Sequence, residues 1–321
     1  MTALRKVLLL VVVAVVGIGA QARPNVALAY SAPTAPGTGY YIDSSWNNTV
    51  PGYSYTYAYQ NGYGAVTGSP NGIVMLDFGR QTSYDSNGQT IWENVTFDGV
   101  AHETSSWTAQ VVQAYMQGYQ DNPQHGSATI VLGTNNSDYN WTCDNSTGNY
   151  SASWYYAGVS WGGLVNSRTV PGILTLQSGN DLESWAGTPS YGSWVACGGG
   201  AEKWYDGYES VTTAFSNVDF GSDGNAEAPS QWTVGQVYDM AWGRVTGLSY
   251  PEIYCNGQQN QWVGIRNSGY MVFNGATSEN GAGSCGGSGT YTWDQSWGVF
   301  NNALVAANYT DDVDPSVAVF P

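Results

Sequence analysis

The chain has 321 residues, with 24 Asp and Glu against eight Lys and Arg, for a net charge of −16. An acidic surface of this kind excludes nucleic acid and anionic membranes as partners. Only 10% of residues are charged but 14% are aromatic, including 14 Trp and 24 Tyr. That balance suits an extracellular protein that meets sugars, whose ring faces stack on indole and phenol while their hydroxyls bond to amides.

At the N-terminus, Arg5 and Lys6 precede an unbroken apolar run over 7–16, and Ala20-Gln21-Ala22 follows. A basic start, an apolar core too short to span a bilayer comfortably and small residues at the end predict a secretory signal peptide over 1–22. A second cleavage candidate follows Ala29, and a retained anchor is the alternative. Cleavage after Ala22 removes Arg5 and Lys6, leaving six cations against 24 anions, or −18. The expected product is a secreted, extracellular monomer without a membrane segment.

Residues 23–70 read as an N-terminal segment preceding the main domain. Within it, 31–49 (SAPTAPGTGYYIDSSWNNT) is rich in Pro, Ser and Thr and reads as a tether. Tyr53, Tyr55, Tyr57 and Tyr59 then recur at period two, which predicts an aromatic strand or hairpin packed outside the main body, with Asn61-Gly62 as its turn.

From residue 71 to 321 apolar runs alternate with helical patterns. GIVMLDFG (72–79) predicts a buried strand, and WTAQVVQAYMQGY (107–119) a helix with Trp107, Val111, Tyr115 and Tyr119 on one stripe and Ser105 or Ser106 as cap. SATIVLGTNN (127–136), GILTLQSG (172–179) and TTAFSNVDFGSDG (212–224) read as strands. ASWYYAGVSWGGLV (152–165), AEKWYDGYES (201–210) and TWDQSWGVFNNALVAA (292–307) read as helices. QVYDMAWG (236–243) and PEIYCNG (251–257) read as short strands. Strand and helix in alternation imply parallel pairing, because parallel neighbours need crossovers. An α/β fold of the TIM-like (β/α) barrel type leads, with a doubly wound sheet second and an antiparallel sandwich the main rival. Six or seven strands are legible, so eight-fold closure is inferred rather than counted.

Cys143, Cys197, Cys255 and Cys285 form an even set in an exported chain, which predicts disulfides. Cys255 follows a strand and Cys285 lies in the Gly/Ser-rich loop after it, so these two are paired, leaving Cys143 with Cys197. With no C-x-x-C spacing and only His102 and His125 available, neither a metal site nor a cofactor is expected.

The predicted strand ends share a character: LDFG, VLGTNN, LQSGNDLE, VDFGSDG, YDMAWG and EIYCNG finish in polar or acidic residues beside Gly or an aromatic. In a barrel these ends share the face on which active sites are built. The series GNDLE, VDFGSDG, W-T-x-x-x-V-Y-D-M-A-W-G and PEIYCNG followed by Gln261-Trp262 resembles secreted bacterial glycoside-hydrolase-like barrel proteins of unassigned activity, and more remotely the barrel lysozymes. The D-x-E pair carried on a strand of the lysozymes matches Asp181 and Glu183, and the aspartate ending their first strand matches Asp77. What the resemblance implies is cleavage of a glycosidic bond in a wall or matrix polysaccharide.

Residues two apart on a strand face one side, so Asp181 and Glu183 can form an acid/base pair about 6.6 Å apart at Cβ. That separation spans both retaining and inverting spacings. Glu183 is then the general acid and Asp181 the group that orients the sugar or stabilises its positive charge. Asp77 and Asp219 are the alternative acids from neighbouring strand ends, and Trp185, Trp242, Tyr254 and Trp262 the stacking surfaces. The competing reading makes Asn180-Asp181-Leu182-Glu183 a capping box, with Asn180 as N-cap and Glu183 at N3. A non-catalytic glycan-binding barrel and a surface structural protein are the alternatives in function.

Overall fold

The computed structural model describes residues 33, 35–47, 52–65, 72–136, 143–144, 149–150, 152–183, 198–222, 232–279, 291–309, 313 and 317–320. In chain order the elements are β1 (Gly37–Tyr41), α1 (Tyr53–Tyr63), β2 (Gly72–Ser86), β3 (Gln89–Val95), β4 (His102–Thr104), α2 (Ser105–Asp121), β5 (Ala128–Asn135), β6 (Cys143–Asp144), β7 (Asn149–Tyr150), α3 (Ala152–Asn166), β8 (Leu174–Asp181), α4 (Gly198–Val211), β9 (Asn217–Asp219), α5 (Val234–Tyr238), β10 (Gly247–Ser249), α6 (Gln258–Ser268), β11 (Ala276–Glu279), α7 (Trp293–Ala306) and β12 (Val317–Phe320).

The main sheet runs β10-β9-β8-β5-β2-β1-β12-β11, every pair along it parallel. Successive barrel strands in the chain are thus neighbours in space, each pair joined by a helix, which is the order a (β/α) barrel requires. The seam lies between β10 and β11. There the chain beyond β10 bridges Glu252 to Thr277, and the Ile253 and Thr277 amides donate to the Thr277 and Pro251 carbonyls at 2.9 Å each. The result is a nearly closed eight-stranded barrel of the TIM-like type.

Strand alternation divides the apolar residues into two layers. Ile73, Met75, Val131, Val218, Phe220, Ala318 and Phe320 form the barrel interior. Val74, Leu76, Phe78, Ile130, Leu132 and Leu176 face outward into the larger layer under the helices. Phe220 and Phe320 stack at 5.9 Å across the inside. They fit because three inward positions are glycines: a Cβ at Gly39 would meet the Phe320 ring, and one at Gly133 or Gly179 the Phe220 ring.

Several predicted elements take another form. Tyr53–Tyr63 is helix α1, not a strand or hairpin, and Asn61-Gly62 lies inside it. The period-two tyrosines divide helically, Tyr53 stacking on Tyr57 and Tyr59 on Tyr63. Segment 37–63, read from sequence as preceding the main domain, supplies the barrel's first strand and first helix. Residues 236–243 form part of α5 and a π-helical turn (Asp239–Gly243) rather than a strand. The capping residue of α2 is Thr104, whose hydroxyl accepts from the Trp107 amide.

The hairpin signal lies elsewhere, at Asn87-Gly88, where both residues have positive φ (56° and 78°). That turn reverses β2 into β3, and β3 pairs in turn with β4. The three strands form an arm rising from the C-terminal rim of the barrel.

Helices pack closely in pairs because glycines let their backbones touch. A Cβ on Gly62 would strike the Tyr115 carbonyl and one on Gly118 the Tyr59 carbonyl, binding α1 to α2. Gly158 and Gly207 stand likewise against the Trp204 and Tyr155 carbonyls, binding α3 to α4. Gly158→Ala or Gly207→Ala is therefore expected to destabilise the fold by about 2 kcal/mol, because backbone, not a flexible side chain, must yield. Gly163→Ala, on the same helix with nothing within 4 Å of the added carbon, is expected to be neutral or to stabilise by up to about 1 kcal/mol. Urea midpoints of the three variants decide the matter, and equal midpoints would refute the close packing.

Candidate functional site

Asp77 shares the inward face of β2 with Ile73 and Met75, and lies in register with Tyr41 of β1 and Gly133 of β5. Immediately beyond it the β2–β5 register slips by one residue, between Asp77 and Arg80. The bulge centres on Gly79, at φ 74°, where a Cβ would collide with the Val95 carbonyl. Its amide donates to Asp77 Oδ1 at 2.8 Å, and Thr134 Oγ donates to its carbonyl at 2.7 Å. Only glycine meets both demands here, so Gly79 fixes the Asp77 carboxyl.

Asp181 is the last residue of β8, inward like Gly179, and Glu183 follows on the same face. The strand therefore carries past Gly179 to the first acid, and Asn180 pairs in it with Thr134 and Asp219. Asn180 is a strand residue, not a helix cap. The Glu183 backbone is held by Asn136, whose side-chain oxygen accepts from the Glu183 amide and whose nitrogen donates to its carbonyl, both at 3.0 Å. Ser222 Oγ donates to Glu183 Oε2 at 2.5 Å.

Glu252 and Glu279 complete the mouth from the seam. Glu252 is 6% exposed and bonded to Tyr254, while Glu279 ends β11 two residues after Thr277, whose hydroxyl donates inward to the Phe220 carbonyl. Tyr41 ends β1 within electrostatic reach of Glu252, Asp181, Glu279 and Asp77. Its ring is stacked between Phe97, at 3.8 Å from the arm's 96–101 loop, and Phe320, at 4.6 Å. Phe97 is 42% exposed and opens this stack to solvent. The loop is pinned by Asp98, which accepts from the Ser44 amide and hydroxyl and from Thr96; against the opposing pull of burial, these bonds hold Asp98 down at about 2.

The mouth thus brings together Asp77, Asp181, Glu183, Glu252 and Glu279 beside an aromatic wall. Burial pushes Asp77 up to about 7, with Glu183 adding to the rise and the Gly79 amide opposing it. Desolvation, then neighbouring carboxylates, raises Asp181 and Glu252 well above the usual range, and burial raises Glu279. The charges that raise Asp77, Asp181 and Glu252 are neighbouring carboxylates, Glu183 among them for all three. Asp77 Oδ2 and Glu252 Oε2 receive no hydrogen bond from any described group. No group of acids or histidines among the described residues has the geometry to hold a metal ion.

The other sequence-derived positions divide. Tyr254 is at the mouth. Asp219 is fully buried, but it lies between inward Val218 and Phe220 and so points to the helix side, where its Oδ1 accepts from the Gly221 amide. Trp262 is 1% exposed, packed edge-to-face on Phe273 beneath α6, and is core rather than a stacking surface. Trp242 lies in the π-helical turn beside Gly247, the first residue of β10, and hence at the opposite end of the barrel. Trp185, Cys197 and Cys285 lie outside the described residues, as does the Cys143 side chain. Cys255 is disulfide-bonded, with its partner's side chain outside the described set. Sequence reading missed Tyr41, Phe97, Glu252 and Glu279. Glu252 lies within the strand-end run PEIYCNG that sequence reading did single out, and β1, β3 and β11, which place the other three, were not foreseen.

No family model matches the chain, and no curated protein matches it. Among solved structures it is similar to concanavalin B, with 13% identity over 89% of this chain and 92% of that chain and a TM-score of 0.38. At that identity and score the likeness carries no functional weight. No helix among the described residues is long and apolar enough to cross a membrane.

Groups whose folded pKa is raised bind protons more tightly folded than unfolded, so they favour folding at low pH and lose that contribution as pH rises. For Asp77 the loss falls between its ordinary 3.8 and about 7, and Asp181, Glu252 and Glu279 act in the same direction. Asp98 and Asp206 shift downward, so their opposite effect is confined below the ordinary carboxylate value. The thermal midpoint is accordingly expected to fall between pH 5 and pH 8, and Asp77→Asn to flatten the slope. A midpoint that rises across this range in calorimetry would refute the arrangement.

Proposed function

We propose that the chain is a secreted glycosidase, exported by its N-terminal leader, that cleaves a cell-wall or extracellular polysaccharide at the barrel mouth. The observation that carries this reading is the pairing of buried carboxyl oxygens lacking donors with an exposed aromatic stack. A polyhydroxylated ring supplies what each lacks: hydroxyl donors for Asp77 and Glu252, and an apolar face for Phe97.

Asp181 and Glu183 are the reacting pair. Asp181, desolvated and flanked by acids, holds a proton in the resting enzyme. Glu183, half-buried and nearer the opening, donates its proton to the glycosidic oxygen as the bond to the anomeric carbon breaks and takes up the proton of Asp181, whose carboxylate then stabilises the positive charge left on that carbon. Water adds there, and its proton returns to the pair. Asp77 and Glu252 position the sugar, and the elevated carboxyls favour turnover on the acid side of neutrality.

New reducing ends released from a panel of wall and plant polysaccharides measure the activity. Glu183→Gln keeps shape and loses the transferable proton, so turnover is expected to drop by about 10²-fold or more with folding intact. Asp219→Asn is expected to lower stability while sparing turnover per folded molecule. A Glu183→Gln enzyme at full rate would sink the assignment, and binding without any release by the wild type would leave a non-catalytic glycan-binding barrel in its place.

A further inference from the structure

The arm has a second face, turned away from the mouth. Between it and α3 lies a cavity of about 460 Å³ whose lining includes Thr90 and Trp92 from β3 and Ser153, Tyr156, Val159 and Ser160 from α3. Tyr156 is 56% exposed and braced edge-on by Tyr155. At Ser160 this cavity meets a second of about 380 Å³ between α2 and α3, lined by Ser106, Gln110, Ser167 and Arg168 among others. Together they form a trough beside α3, from Ser153 to beyond Asn166, about 22 Å of helix at 1.5 Å per residue.

The lining has two features that select an occupant. On a chain of net charge −16, no carboxylate is among the described residues that line either cavity. Arg168, the one cation among these described residues, already uses all three guanidinium nitrogens, donating to the Leu164 and Ala109 carbonyls and to Ser167 Oγ. What remains is an indole, a phenol, hydroxyls and an amide, the set that stacks on and hydrogen-bonds an uncharged sugar. One strand links the trough to the mouth: β2 carries Asp77 and runs on to the hairpin whose return strand carries Thr90 and Trp92.

The geometry points to a second, non-catalytic carbohydrate site in this trough, taking a neutral stretch of the same polysaccharide strand that enters the mouth. This rests on the glycan reading of the mouth for the identity of the polymer, and on the trough alone for binding. The trough holds the polymer while the mouth works on it, so its loss affects long or insoluble substrates more than short ones.

Isothermal titration of the full protein with cellohexaose, chitohexaose, xylohexaose and laminarihexaose tests it. The wild type is expected to take up two equivalents of at least one of these. Tyr156→Ala, an exposed position that folding does not need, is expected to remove one of them, and Trp92→Ala the same one, each by weakening affinity about tenfold or more. Phe97→Ala is expected to remove the other. Hydrolysis of the insoluble polymer is expected to fall severalfold in Tyr156→Ala, with the rate on the short soluble oligosaccharide unchanged. Loss of an equivalent in Tyr156→Ala but none in Phe97→Ala would overturn the mouth reading and leave the trough standing. The reverse pattern, a single wild-type equivalent that survives Tyr156→Ala, or a wild type that binds no probe, would overturn the trough.

Discussion

The mouth stands on two rings. Phe220 and Phe320 lie stacked across the barrel, seated where Gly39, Gly133 and Gly179 leave no side chain in their way. These rings close the interior beneath the carboxyl groups, and the low-polarity floor they make is what desolvates Asp77 and Asp181. A barrel filled by aliphatic side chains to its rim would leave no such recess, and one with side chains at the three glycines could not admit the rings.

Above that floor the acids separate by depth. Asp77 and Glu252 are buried with one oxygen each lacking a donor, whereas Glu183 lies a step outward, with Ser222 and Asn136 holding its carboxyl and its backbone. Carboxyl groups crowded together in a dry site cannot all ionise, so these acids hold their protons more tightly than free carboxyls do. The stored electrostatic cost falls on folding stability and rises with pH.

The arm gives the otherwise regular barrel its asymmetry. One extra residue at Gly79 bends β2 out of the barrel wall, and the hairpin that follows carries Phe97 to the mouth on one side and Trp92 to the α3 trough on the other. The Asp98 bonds to Ser44 and Thr96 tie its loop to the segment after β1, so the aromatic wall and the carboxyl ring are held in one frame.

By itself the sequence determined the alternation of strand and helix from residue 72 onward and the parallel pairing that alternation demands, because both depend on short-range periodicity; the barrel was the leading of several readings, and the D-x-E pair stood beside a capping box as one of two. It misread Tyr53–Tyr63, where tyrosines at every second position look like a strand although glycine-mediated contact with α2 makes a helix the better-packed state. It also placed Trp262 and Trp242 in the site, since residue type says nothing of which side of a barrel a ring faces. Only the tertiary structure decided that Asp219 points to the helices, that Glu252 and Glu279, from the two sides of the seam, join Asp77 at the mouth, and that Tyr41 and Phe97 form the wall. Those neighbours are brought together by closure of the sheet on itself, and closure is a relation between strands far apart in the chain that no local pattern encodes.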